Sequence, residues 1–560
     1  MFRPGGITLL EAFILFCASI STPPHVIYFW NCIIGLCVDT FGNPEKSIYP
    51  YFDAKGPLPE ITSQTALVIC LCNEDPAPIL SRLHAMRQSL LQTGRLEYFR
   101  FIILSDTSRP DVMEMEDKGF ADLAKSLGMG MSRAPLYRRR IKNTGYKAGN
   151  IKDYVDNHSE GDDLFVTLDS DSAMGGDVLV RLVSSMEKHA QIGLLQTQFA
   201  GMPAVSTFTR LWQFGLRHSV PVQNVGSNWW VNDCAFYWGH NAIIRTRAFH
   251  KHCMLPVLPG KPPLGGHILS HDVMEGIFMR RAGYEVRMIP LETESYETNP
   301  PTLLDFLRRE HRWCQGTMQY WFLLKEPGLK SVSRFQVCQI LASYLGPAFG
   351  LLWSLAGIAN GMLGGYGATQ FEYRFVAHLI MIGIWLIPKI ACICTSFDRY
   401  GSGFRYAVSL LLEIILMQLI WHVVSVAITV FFFSLVSGKS IRWDGQNRDR
   451  LGLGWRESFR VLWPQTLVGF SIAGLLALED NITWLWALPF VTGLCLATPF
   501  AVITASPRLS QIITRLRLFL APEEAKLPPL LSVLVAPEII YAFKAAATRR
   551  LGSKAILEKN

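Results

Sequence analysis

The feature that most constrains this chain is where its apolar residues lie. Long apolar runs cover 7–21 and 26–41, then 335–363, 375–394, 406–435, 461–478 and 484–505. Hydrocarbon offers the backbone no hydrogen-bond partner, so runs of this kind settle as helices in a bilayer. Between them, 62–327 has the mixed polarity of a water-soluble unit. The pattern predicts membrane helices with a soluble domain inserted among them. Thr22-Pro23-Pro24 interrupts the first pair of runs, which predicts a helical hairpin within 1–43. Half of the 560 residues are hydrophobic, rich for a soluble protein.

Charge sets the orientation. The net charge of +8 is dispersed over loops. No Lys/Arg-rich run marks a nucleic-acid arm, so nucleic acid is not an expected partner. The twelve cysteines form no C-x-x-C pair, which argues against a zinc ribbon or a disulfide scaffold. Lysine and arginine gather in the soluble domain and in 398–405, 438–460 and 506–560, whereas 22–24, 364–374 and 479–483 are nearly free of them. Positive loops stay cytoplasmic. Keeping 438–460 on that side, as a gating-type loop, requires 406–435 to lie as an interfacial or channel-lining helix. Its Glu413, Gln418 and His422 suit that role. Six crossings are then expected: the hairpin, two helices in 335–394 and two in 461–505. A further crossing at 406–435 is the alternative. Membrane lipids are partners on either count, and 506–560 is a cytoplasmic tail.

Inside the soluble domain, "TALVICLCNED", "YFRFIILSDTS", "LFVTLDSDS" and "IGLLQTQ" read as strands separated by helical periods. That alternation predicts an α/β fold with a mostly parallel sheet. Ligands of such sheets sit at the carboxyl ends of the strands. Glu74, Asp106, Asp169 and Asp171 all fall there. Carboxylates at the end of an apolar strand are costly to leave unpaired. Asp169-Ser170-Asp171 suits a hard divalent cation, Mg2+ or Mn2+, shared with substrate phosphates. A helix cap is the plainer use of a single strand-end aspartate. Neither a P-loop nor a dinucleotide fingerprint is present.

Three further clusters follow in order. Lys147 in "GYKAGNI" precedes a predicted helix and suits a phosphate oxygen. His271 and Asp272 fall at a predicted helix start, where Asp272 alone would read as the cap. In "RREHRWCQG", Arg309 and Arg312 share a helical face and suit a diphosphate, and Trp313 suits a sugar face.

Taken in order, Asp106, Asp169-x-Asp171, Asp272 and Arg309-x-x-Arg312-Trp313, bracketed by membrane helices, resemble the processive glycosyltransferase family 2 enzymes. Cellulose, hyaluronan and chitin synthases belong to that family. "GHNAIIR", "GGHILSHD" and "DGQNRD" are nearer to the branch that builds the backbone of osmoregulated periplasmic glucans. The family has Gln at the position of Arg309 and Thr-Glu-Asp at Ser270-His271-Asp272. The resemblance implies a cytoplasmic domain of the glycosyltransferase-A type, Rossmann-like, within the bacterial inner membrane. It implies UDP-glucose as donor and a growing β-glucan as acceptor, β-1,2 for this branch. Glu74 and Asp106 would hold uridine and ribose. Asp169 would face the donor, and Asp171 would ligate the metal beside it. Lys147, Arg309 and Arg312 would neutralise the diphosphate, and Asp272 would be the general base. Trp313, and Trp238 and His240 of "FYWGHN", would meet the acceptor. An acyl carrier protein or periplasmic glucan-processing proteins stand open as partners. A cellulose-type β-1,4 synthase and a non-processive lipid-carrier transferase are the alternatives.

Overall fold

The computed structural model describes residues 6–364, 371–400, 403–441, 450, 452–477, 483–525 and 527–534. The "DGQNRD" motif at 444–449 lies outside them. The chain opens with α1 (Leu9–Phe41), whose Thr8 cap and Glu11 form a reciprocal capping box.

This first helix corrects the predicted hairpin, because α1 runs without a turn through Pro23 and Pro24. Its 33 residues span roughly 50 Å. Proline is tolerated in such a helix when neighbours satisfy the carbonyls it frees. Beside the pair, His25 Nδ1 lies 2.9 Å from the Ser21 carbonyl oxygen.

The soluble unit is built on eight strands: β1 (Thr65–Leu71), β2 (Phe99–Ser105), β3 (Leu136–Arg139), β4 (Leu164–Asp169), β5 (Ala173–Met174), β6 (Ile192–Gly201), β7 (Ala242–Arg245) and β8 (Glu285–Glu297). Their order is β3-β2-β1-β4-β7-β6-β8-β5. The β1–β2, β1–β4, β2–β3 and β6–β8 pairs are parallel; β4–β7, β6–β7 and β5–β8 are antiparallel. The expected parallel sheet is thus one half of a mixed one. Side chains alternate across it as strand geometry requires. Leu67 and Ile69 of β1 face one core with Leu83 and Leu179, while Ala66 and Val68 face another with Ile102, Ile151 and Phe165.

Helices α2 (Pro76–Thr93), α3 (Pro110–Gly128), α4 (Tyr146–Asn157) and α5 (Gly176–Lys188) cover the sheet. Next come α6 (Thr207–Val231), α7 (Asp272–Arg281) and α8 (Leu303–Met318). Against α1, α6 packs at contact distance. A Cβ on Gly226 would overlap the Asn31 carbonyl, and Trp230 Nε1 donates to Asn31 Oδ1 at 2.9 Å.

Beyond lie α9 (Ser331–Met362), α10 (Phe371–Tyr400), α11 (Phe404–Val436), α12 (Trp455–Leu476), α13 (Thr483–Cys495) and α14 (Ala497–Thr504). Among the described residues five helices are long and apolar enough to cross a membrane: α1, α9, α10 in its Phe375–Phe397 part, α11 and α12. The α13–α14 pair, bent by 61°, makes a sixth if it counts as one span. Yet α11, which packs on α9 and α13, also meets helices of the soluble unit at three points. Near its start Tyr406 Oη lies 3.1 Å from His218 Nε2, Trp421 meets Trp212 midway, and Phe431 stacks on His311 near its end.

Candidate active site

The carboxyl edge of the sheet gathers what the sequence placed at strand ends. Glu74 follows β1, Asp106 follows β2, and Asp169 ends β4. Each side chain leaves a buried strand where the backbone stops pairing, so it opens into a common space. One cavity of about 1840 Å3 is lined by Glu74, Asp106, Lys147, Asp169, Asp171 and Asp272. Arg309, Arg312, Trp313, Trp238 and His240 line it too. The same cavity continues among membrane helices, where Trp353 of α9 and Trp385 of α10 border it.

Asp106 is buried and held by a residue the sequence did not single out. Arg140 forks onto it, Nε to Oδ1 at 2.8 Å and Nη2 to Oδ2 at 2.6 Å. Arg140 also donates to the Thr144 and Tyr146 carbonyls, so it ties the end of β2 to the start of α4. Burial pushes the Asp106 carboxyl above its ordinary range, and Arg140 limits the rise. Three consecutive arginines (138–140) gave no sign of which one turns inward.

Lys147, in the first turn of α4, pairs with Asp169 and donates to the Gly239 carbonyl at 2.8 Å. Burial, the largest influence on this ammonium, disfavours its charge. Asp169 and its neighbours outweigh burial, and the pKa stands above the ordinary value. Gly239 has φ +84°, and a Cβ there would sit 3.2 Å from Asp272 Cβ. The close approach holds Lys147, Gly239 and Asp272 in one layer. Asp171 is buried, and its Oδ2 accepts from Thr298 N (3.2 Å) and Oγ1 (2.7 Å).

Asp272 is the first residue of α7, while His271 takes the cap position. The capping reading of Asp272 is therefore corrected. His271 is buried and its Nδ1 lies 2.7 Å from Glu275 Oε2. Burial disfavours the imidazolium, but Glu275 raises its pKa above the usual histidine value. Behind them α8 packs tightly: a Cβ on Gly316 would lie 2.6 Å from Ser270 Oγ.

On α8, Arg309 and Arg312 both face the cavity, but differently. The Arg309 guanidinium lies over the Trp313 ring, 4.4 Å from its centroid. Burial and the nearby Arg309 charge hold Arg312 below the usual guanidinium value, with Glu74 and Asp169 opposing. Trp313 remains 42% exposed, open to an incoming face. Trp238 meets Phe199 edge-on at 5.3 Å, and His240 lies 4.7 Å from the same ring.

The last residue of β8, Glu297, also escaped the sequence reading. Its carboxylate is 3.3 Å from His240 Nε2. "LETESYET" holds several glutamates with nothing to say which one turns inward. No group of three or more His, Cys, Asp or Glu suited to a metal occurs among the described residues. Asp169 and Asp171 nonetheless offer hard oxygen donors, a set that fits Mg2+ or Mn2+ sharing a substrate's phosphates.

Residues 164–501 match the model of glycosyl transferase family group 2. The chain is 34% identical over 544 residues to glucans biosynthesis glucosyltransferase H of Xylella fastidiosa, covering 93% of this chain and 84% of that one. It is 36% identical over 551 residues to the protein of that name in Xanthomonas euvesicatoria, covering 94% and 84%. Among solved structures, mannosyltransferase PcManGT of Pyrobaculum calidifontis aligns over 69% of this chain and 98% of its own, at 13% identity and a TM-score of 0.41.

Proposed function

The chain belongs to glycosyl transferase family group 2, with the glucans biosynthesis glucosyltransferases H, and from there we propose that it is an inverting, processive glucosyltransferase. It would polymerise glucose from UDP-glucose into the β-1,2-glucan backbone of osmoregulated periplasmic glucans. It would also pass the chain across the bacterial inner membrane, its catalytic domain facing the cytoplasm. The observation that carries this reading is the cavity itself. It joins the acidic strand ends to the acceptor helix and then to tryptophans of the membrane helices. A transferase that released its product into water would need no such continuation.

Each residue then has a task. Glu74 and Asp106 would hold the uridine and ribose, with Arg140 fixing the Asp106 carboxylate. Asp169 and Asp171 would hold a divalent cation together with the diphosphate, and that cation would supply positive charge to the leaving group. Lys147, paired with Asp169 at rest, and Arg312 would neutralise charge that grows as UDP departs. Asp272 takes the acceptor's proton, and attack from the face opposite UDP inverts the anomeric centre. Trp313 receives the acceptor ring, with Trp238 and His240 across the cavity.

Purified protein given UDP-glucose and Mg2+ should yield a β-1,2-linked polymer by NMR. Excess EDTA should stop it, and Mg2+ should restore it. A β-1,4 product would make this a cellulose-type synthase, and transfer of a single glucose to a lipid would sink the polymerase reading.

A further inference from the structure

The end of β8 reaches both halves of the site within two residues. Thr298 holds Asp171 through its N–H and hydroxyl, while Glu297 turns to His240 Nε2 at 3.3 Å. Glu297 is 17% exposed on its side chain and borders the cavity. His240 is itself fixed from behind. Gln196 Nε2 donates to its carbonyl at 3.0 Å, and Asn241 Oδ1 lies 3.3 Å from its Nδ1. Asn241 is anchored in turn to Ser295 Oγ at 2.8 Å. The pair therefore sits on a stiff platform of three strands, between the donor carboxylates and the arginines of α8.

The charge state of this pair is unusual for a site built around a diphosphate. Burial, opposed by Arg309 and reinforced by Asp169, lifts the Glu297 carboxyl to about 8. Burial lowers the His240 imidazole below its ordinary value. Both ring nitrogens of His240 are taken, Nε2 by Glu297 and Nδ1 by Asn241, so it is the Glu297 carboxyl that the pair offers to the cavity. A sugar hydroxyl can donate to a carboxyl oxygen; a phosphate oxygen, which only accepts, cannot. Phe199, beside His240 and Trp238, adds an apolar wall.

We propose that Glu297, held in place by His240, grips a hydroxyl of the acceptor sugar and so selects which hydroxyl is presented to Asp272. This rests on the glucosyltransferase reading and names the residue that would determine acceptor recognition within it. A site that hydrogen-bonds a hydroxyl loses affinity when its partner is removed, because the remaining polar group is left unpaired.

The test uses the full-length protein in detergent, with UDP-glucose as donor and β-1,2-gluco-oligosaccharides as acceptors. Glu297→Ala and His240→Ala should each raise the acceptor KM about tenfold or more, the cost of one or two lost hydrogen bonds. UDP affinity should stay within about twofold, and Glu297→Gln, neutral and hydrogen-bonding, should recover most of the acceptor affinity. If Glu297→Ala loses UDP binding through misfolding, His240→Ala, on a separate segment, decides. Unchanged acceptor KM in a variant that binds UDP overturns the subsite. Absence of transfer by the wild type would instead overturn the glucosyltransferase reading.

Discussion

Asp272 and Arg312 line the same cavity, yet removing them should have different consequences. Asp272 is proposed to touch only the acceptor's proton, so Asp272→Asn should keep UDP affinity while transfer falls by about 10²–10⁴-fold. Arg312→Ala should weaken UDP binding along with the rate, which calorimetry with UDP would separate. Glu297 gives a pH signature of its own. The groups around it are His240, Arg309, Asp169 and Lys147. Its folded-state pKa of about 8 lies above the ordinary glutamate value, so between the two the folded protein holds a proton the unfolded chain has released. Stability contributed by that proton is complete below the ordinary value, declines as pH rises through the window, and levels off above about 8. Thermal midpoints from about pH 5 to about pH 9 should therefore fall less steeply in Glu297→Gln than in the wild type. Equal slopes would show that the carboxyl is not held protonated.

At the scale of the element, α11 is the informative case. By length and composition it could cross a bilayer, and it packs on α9 and α13, but its start, middle and end also touch α6 or α8. Just past its end, Ile441 N donates to Gln315 Oε1 of α8 at 2.8 Å. A crossing helix would leave the soluble domain at one end. We propose that α11 lies along the membrane surface of the domain, with 437–441 on the catalytic side. With α1 as one span and α13–α14 as another, the count becomes five rather than the expected six. The single difference is the hairpin, which α1 replaces with one span. A cysteine replacing the exposed Ser440 should react with an impermeant maleimide only after the cytoplasmic face is opened. Labelling in intact spheroplasts would mean that α11 crosses.

Over the whole molecule, the segment after α14 acts as a strap. Phe519 is buried against Phe214 of α6. Arg217 of α6 pairs with both Glu523 and Glu292, and Arg210 pairs with Glu524 at 2.5 Å. Farther on, Leu530 and Leu531 are buried in the same core as β1 and α2. The strap thus links the last membrane helix to the far side of the catalytic domain. Arg217→Ala would leave the buried Glu523 without a cation, while Glu292 keeps Arg399 at 3.0 Å. Breaking a buried pair in this way costs about 3–5 kcal/mol. The thermal midpoint should drop clearly, with UDP affinity near normal in the cold; an unchanged midpoint would show that the strap carries no stability.

By itself the sequence determined the α/β core, its strands β1, β2, β4 and β6, and the carboxylates at the ends of the first three of these. Alternation of apolar runs with helical periods is local, and the loops after strands β1, β2 and β4 follow directly from it. It also determined that the domain sits among membrane helices, because apolar length is a property of the chain alone. What it left open was every choice that depends on a partner distant in sequence. Pro23-Pro24 reads as a break until α6 and α9 are seen packed beside α1. Arg140 and Glu297 are two charges among many until the end of β2 and the loop at His240 come to meet them. β3, β7 and β8 are short or charged and lack a strong period, so they become strands only through their neighbours' hydrogen bonds. Tertiary structure decided which polar groups face one another, since burial and pairing energies depend on the surroundings and not on the residue.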